Sequence, residues 1–193
     1  MSSEEFISDC LSFANKRLNE FENLNKGNLA GADRKVREQL FREFFFHLVS
    51  AIDFLVQFIN SKRNLCFRKK DVKVLDVKSK LKKLNPADPI IPILDIIYPK
   101  IDDNNLPPDP YSELGCHTRI IIYRNFITHR SHNPICFRTI TNTVHLYFYP
   151  NNINFLLDPN DKGSNVSDKT AIDEMHSFYQ LLKDKCEKAI ILI

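Results

Sequence analysis

The sequence predicts an all-α protein, a bundle of four to five helices with a small β-hairpin before the last helix. Three observations predict it. Apolar residues recur at helical spacing through long stretches that hold neither glycine nor proline. Seven of the ten prolines fall between residues 86 and 110, in one connection. A single segment, residues 139–157, alternates as a strand pair does. The 193 residues, 43% hydrophobic and 26% charged, suit one globular domain spanning 1–193 with a buried core.

The first expected helix covers residues 3–23, with Phe6, Cys10, Phe13, Leu18 and Phe21 at near-helical spacing. Asn25-Lys26-Gly27-Asn28 breaks it. The second covers residues 32–60. It is apolar on several sides near its middle, as a central helix of a bundle should be. Its most apolar stretch, residues 44–59, is interrupted by His47, Ser50, Asp53 and Gln57 and is too short to cross a bilayer comfortably, so no membrane association is expected. Residues 71–84 read as a shorter basic helix with Val74, Val77, Leu81 and Leu84 inward, stopped by Asn85-Pro86. A short helix at residues 93–98 sits within the proline-rich connection.

Asp109-Pro110 is a helix start: the carboxylate caps free amides, and proline fits a first turn that needs no amide proton. That helix is expected over residues 110–132, because Asn133-Pro134 cannot continue it. Residues 139–149 then alternate β-branched and aromatic side chains, Pro150-Asn151-Asn152 makes a turn, and residues 153–157 return. The last helix covers residues 168–193, through Ile172, Met175, Phe178, Leu182 and Ile190.

Net charge is +3, too small to argue for nucleic-acid binding. Its distribution is uneven, since residues 62–83 hold ten Lys or Arg against two Asp. That segment reads first as a solvated face, with a phosphate-binding surface as the alternative. The five cysteines are scattered and form no CxxC, so they read as reduced thiols. With an acidic N-terminus in place of a secretory leader, this points to the cytoplasm. Four glycines, none clustered, cannot build a phosphate cradle or a dinucleotide fingerprint. No cofactor is expected.

Residues 123–129 read Tyr-Arg-Asn-Phe-Ile-Thr-His. Four residues separate Arg124 from His129, and Asn125 follows the arginine. This Arg-Asn-x-x-x-His pattern, near the end of a late helix in an α bundle, resembles the signature of the HEPN superfamily. The resemblance is specific in the motif and covers the rest only as a bundle architecture. It implies a HEPN-like fold and a metal-independent endoribonuclease, a toxin or defence component, with Arg124, Asn125 and His129 catalytic. It also implies a homodimer with the site at its interface, and an antitoxin partner. In some relatives with such a partner, a Tyr lies two residues after the His. Here that position is Ser131, so control by modification of that Tyr is not implied.

The residues suit the chemistry on their own terms. RNA is cut without metal when its 2′-hydroxyl attacks phosphorus, leaving a 2′,3′-cyclic phosphate. An imidazole titrating near pH 6.5 can move the protons, and a guanidinium presents a planar fork to phosphate. Asn125 lies four residues before His129, on the same helix face. Arg124 and His129 are about 140° apart around an ideal helix. Arg130 and His132 read as secondary phosphate contacts, with plain solvent exposure as the alternative. A metal site at His117, His129 and His132 lacks an acidic or cysteine partner at suggestive spacing, so none is expected. His47 reads as buried and structural. Two other readings stand beside the nuclease. One is a non-catalytic HEPN module that binds nucleotide or RNA or mediates assembly, and the other is a helical protein in which the motif serves packing.

Overall fold

The computed structural model describes residues 3–25, 34–68, 72–100, 109, 111–129, 135–140, 143–148 and 170–193. For Asn25, Arg34, residues 126–129 and the two strands it describes the backbone alone. The elements are α1 (Ser3–Asn25), α2 (Arg34–Lys62), α3 (Val74–Leu84), α4 (Ile90–Ile97), α5 (Glu113–His129), β1 (Ile135–Ile140), β2 (Thr143–Phe148) and α6 (Ala171–Leu192). The packed body is all-α, around one apolar core drawn from all six helices.

Helices α4, α5 and α6 begin where side chains satisfy free amides, whereas α3 begins at Lys73 with no side-chain cap. Asp88 accepts from Ile90 N–H at 2.9 Å through Oδ1, so α4 starts at an Asp-Pro pair, three residues before the expected start at 93. Thr170 Oγ1 accepts from Asp173 N–H at 3.2 Å and opens α6. Asp109 does not cap α5 as its Asp-Pro sequence suggests. It accepts from Tyr111 N–H at 2.8 Å, a local turn that postpones the helix. Ser112 caps instead, its Oγ accepting from Gly115 N–H at 3.0 Å, so α5 begins at Glu113 rather than Pro110.

The antiparallel pair α1 and α2 makes the broadest contact. Ile7, Leu11, Ala14, Leu18 and Phe21 form the buried stripe of α1. Phe6 and Phe13 stay 37% and 48% exposed and stack on the rim, Phe6 on Phe54 at 5.0 Å and Phe13 on His47 at 5.4 Å. Ala14, fully buried, lies on the stripe that faces α2, and further along the same contact Phe21 is buried against Phe41 at 6.3 Å. Within α2, residues 35–62 are long and apolar enough to cross a membrane by length and composition, but 61% of the apolar stretch is packed inside the bundle. Leu84, expected inward, is 63% exposed.

At the far end of α2, Asn60 makes two hydrogen bonds to the Phe67 backbone, at 2.9 and 3.1 Å. They hold a loop in which Asn64 and Cys66 take φ of 50° and 64°. Arg63 leaves the same end, donates to the Leu192 carbonyl at 3.1 Å and reaches Asp88 at 3.6 Å. One side chain thus ties the end of α2 to the end of α6 and the start of α4.

β1 pairs antiparallel with β2, with Ile140 opposite Thr143. Residues 149–157, which carry the expected turn and return strand, lie outside the described residues.

The centre of the bundle is α5, where every residue from Gly115 to Ile121 is buried. Tyr123 on α5 packs with Phe45 on α2 at 5.7 Å and Phe178 on α6 at 6.2 Å between ring centroids. A charge sits among these rings. Arg119, 2% exposed, pairs with Glu174 of α6, also 2% exposed, and its Nε donates to Tyr123 Oη at 3.1 Å. Rings of Tyr111, Tyr123 and Phe178 lie 5.1 to 5.5 Å from the guanidinium. Burial works against the Arg119 charge, but Tyr123 and Glu174 outweigh it, so the group holds its proton more tightly than usual. Burial also pushes the Tyr123 phenol well up, keeping it neutral.

Removing one partner of a buried pair strands the other. Glu174→Gln is expected to destabilise the protein by about 3 kcal/mol or more in urea unfolding, whereas Arg119→Met with Glu174→Leu costs less than the single change.

Candidate functional site

Arg124 and Asn125 lie near the C-terminal end of α5, where the helix leaves the core. Tyr123 is fully buried, Arg124 half-buried and Asn125 exposed. Arg124 Nη1 donates to Asn125 Oδ1 at 3.0 Å. The guanidinium also sits near Asp53 of α2. Desolvation pushes the Asp53 carboxyl up from its usual range, and Arg124 pulls it the other way. The sequence marked Asp53 only as an interruption in an apolar helix, and its nearness to Arg124 is tertiary information.

The structure brings Arg124 and Asn125 together. It places the His129 backbone as the last residue of α5, one turn beyond Asn125. The His129 side chain lies outside the described residues, as do Arg130 and His132. The stripe through Leu114, Thr118, Ile121 and Asn125 is not a core stripe throughout: Thr118 and Ile121 are buried, while Leu114 and Asn125 are exposed.

His47 is half-buried, not buried, against Phe13 at 5.4 Å and Phe46 at 5.5 Å. Burial and Arg17 lower its pKa, and Glu43 opposes them. A groove of about 660 Å³ runs between α1 and α6, lined by Ser8, Leu11, Asn15, Tyr179 and Lys183 among others, and Arg124 and Asn125 are not part of it. His117 is remote from solvent altogether. It is fully buried, and neither ring nitrogen finds a hydrogen-bond partner among the described residues. Burial lowers its pKa to about 4; Glu113 opposes this and Lys185 adds to it. Those two neighbours pair with each other at 2.8 Å, linking α5 to α6.

A neutral His117 makes folding pH-dependent. Its folded pKa lies below the unfolded value near 6.5, so the unfolded chain binds the proton first as pH falls. Stability contributed by the neutral ring is complete above pH 6.5 and is lost on acidification toward pH 4, by an amount on the order of 3 kcal/mol. Thermal melts of the wild type and His117→Leu across that window should show a steeper loss in the wild type, and parallel curves would contradict this.

No protein-family model matches the chain, and no curated protein or solved structure matches it.

Proposed function

We propose that the chain is a metal-independent endoribonuclease of the HEPN type, acting through Arg124, Asn125 and His129. The observation that carries this reading is the 3.0 Å Arg124–Asn125 hydrogen bond where α5 emerges from the core. It steadies a guanidinium at the solvent-facing end of a rigid helix, one turn before the histidine that closes that helix. An all-α body with the motif late in its central helix is the setting the HEPN resemblance implies.

In the reaction, the RNA 2′-oxygen bonds to phosphorus as the P–O5′ bond breaks. One proton leaves the 2′-hydroxyl and one arrives on O5′, so a base and an acid are both required. His129 fills these roles, one copy as base and the other as acid, in a homodimer that brings two motifs together. Arg124 offsets charge on the non-bridging oxygens. Asn125 holds Arg124 through Oδ1, and its amide nitrogen is left to donate to phosphate or to orient the imidazole. Asp53 of α2 supplies an opposing charge to Arg124. Products are a 2′,3′-cyclic phosphate and a 5′-hydroxyl. The setting is a cytoplasmic toxin or defence protein whose partners are RNA, a second copy and an antitoxin, with no membrane role.

Because Asn125 already accepts from Arg124, one further reading has support: a non-catalytic HEPN module that binds RNA or nucleotide or mediates assembly. A single assay separates the two. RNA incubated in EDTA should be cleaved by the wild type and at least about 100-fold more slowly by Arg124→Ala or His129→Ala. Tight binding without turnover favours the module. Equal cleavage by the wild type and the Arg124→Ala, His129→Ala double variant refutes the catalytic assignment.

A further inference from the structure

The basic segment divides into two sets of lysines once the fold is known. Residues 62–83 carry +8, and the whole chain +3, so everything outside the segment sums to −5. Val74, Val77 and Leu81 face the core and fix the rotation of α3. On one flank, Lys78 and Lys82 reach Asp95 of α4 at 2.8 and 3.8 Å. Those two charges are structural. Lys62 lies over the Phe58 ring at 5.4 Å, and Arg63 is held by Asp88 and the Leu192 carbonyl.

Lys73, Lys80 and Lys83 differ. All three are exposed, and none has an ion-pair partner among the described residues. Their spacing of seven and three residues puts Lys73, the N-cap residue, with Lys80 and Lys83 within about 80° of one another, on the flank of the helix away from Lys78 and Lys82, with Asp76 among them. The line is about 15 Å long at 1.5 Å per residue. That length exceeds the spacing of successive phosphates on one strand, so more than one phosphate can follow it.

We propose that Lys73, Lys80 and Lys83 form a second, sequence-independent contact that tracks the phosphate backbone of RNA, separate from the Arg124 motif. The proposal rests on the RNA reading above and adds a positioning surface to it. Charge complementarity selects the occupant: a cationic line on an otherwise anionic chain attracts polyanions to that face. Leu75 and Leu84, the exposed leucines of α3, stand about 180° apart around the helix. They form no contiguous apolar wedge of the kind that enters a lipid interface.

The test measures binding of a 2′-O-methyl RNA 20-mer, which lacks the attacking hydroxyl, by fluorescence anisotropy over a range of salt. Three variants are compared: the wild type, the triple Lys73→Gln, Lys80→Gln, Lys83→Gln, and Lys78→Gln as a structural control. The triple variant should bind about 10- to 100-fold more weakly near 0.1 M salt, with a log–log salt slope shallower by about 2, as the loss of three single-strand phosphate contacts dictates. Lys78→Gln should lower the melting temperature and leave the slope unchanged. Cleavage of a dinucleotide, whose single phosphate cannot occupy both places, should be the same in the triple variant and the wild type. Equal affinity and slope in the triple variant overturns the proposal even if dinucleotide cleavage persists. So does binding of the wild type to phosphatidylserine vesicles with none to the RNA. Loss of dinucleotide cleavage in the Arg124 variant alone bears on the catalytic reading and leaves this comparison intact.

Discussion

The structure turns on one buried ion pair. The apolar contacts around α5 are non-directional, and seven consecutive buried residues, Gly115 to Ile121, give that helix no polar side to fix its rotation. Arg119 and Glu174 supply the missing direction. A desolvated guanidinium tolerates one arrangement, with its carboxylate in place, Tyr123 accepting from Nε, and rings on its faces. That requirement locks α5 to α6 at one register, and Phe45 against Tyr123 and Phe178 extends the lock to α2.

The motif inherits its position from this lock. Arg124 follows Arg119 by five residues, about 7.5 Å along the helix and about 140° around it. With Arg119 turned toward α6, Arg124 emerges on another side, near Asp53 of α2. Two arginines five apart on one helix thus do opposite work: the first is sealed in rings and holds the bundle, and the second reaches water and is steadied by a neutral amide. The same helix carries structural charge in its middle and candidate chemistry at its end.

Much of this was legible in the sequence, and the exceptions have physical causes. The all-α class came from periodicity and breakers, which read four to five helices where the described residues hold six, and α2 was placed within two residues at each end. Boundaries failed where a local polar group acted otherwise than its type suggests, as at Asp109, which makes a turn and leaves capping to Ser112. Of the apolar residues at near-helical spacing on α1, Cys10, Leu18 and Phe21 are buried, while Phe6 and Phe13 lie at the rim. Arg124 and Asn125 are singled out by motif spacing alone. Asp53 and the Arg119–Glu174 pair are not, since no pattern in a chain links residues that meet only when distant helices pack. The division of the α3 lysines was hidden for the same reason: Asp95 lies on another helix.

The central claim is that a metal-free 2′-hydroxyl attack occurs at residues 124–129. Phosphorus NMR of the products formed from a short RNA in EDTA reads that step directly. A cyclic phosphodiester resonance, absent when the one ribose 5′ to the cut carries 2′-deoxy, is the result this account predicts. A 5′-phosphate product, or cleavage that survives removal of that hydroxyl, would contradict it.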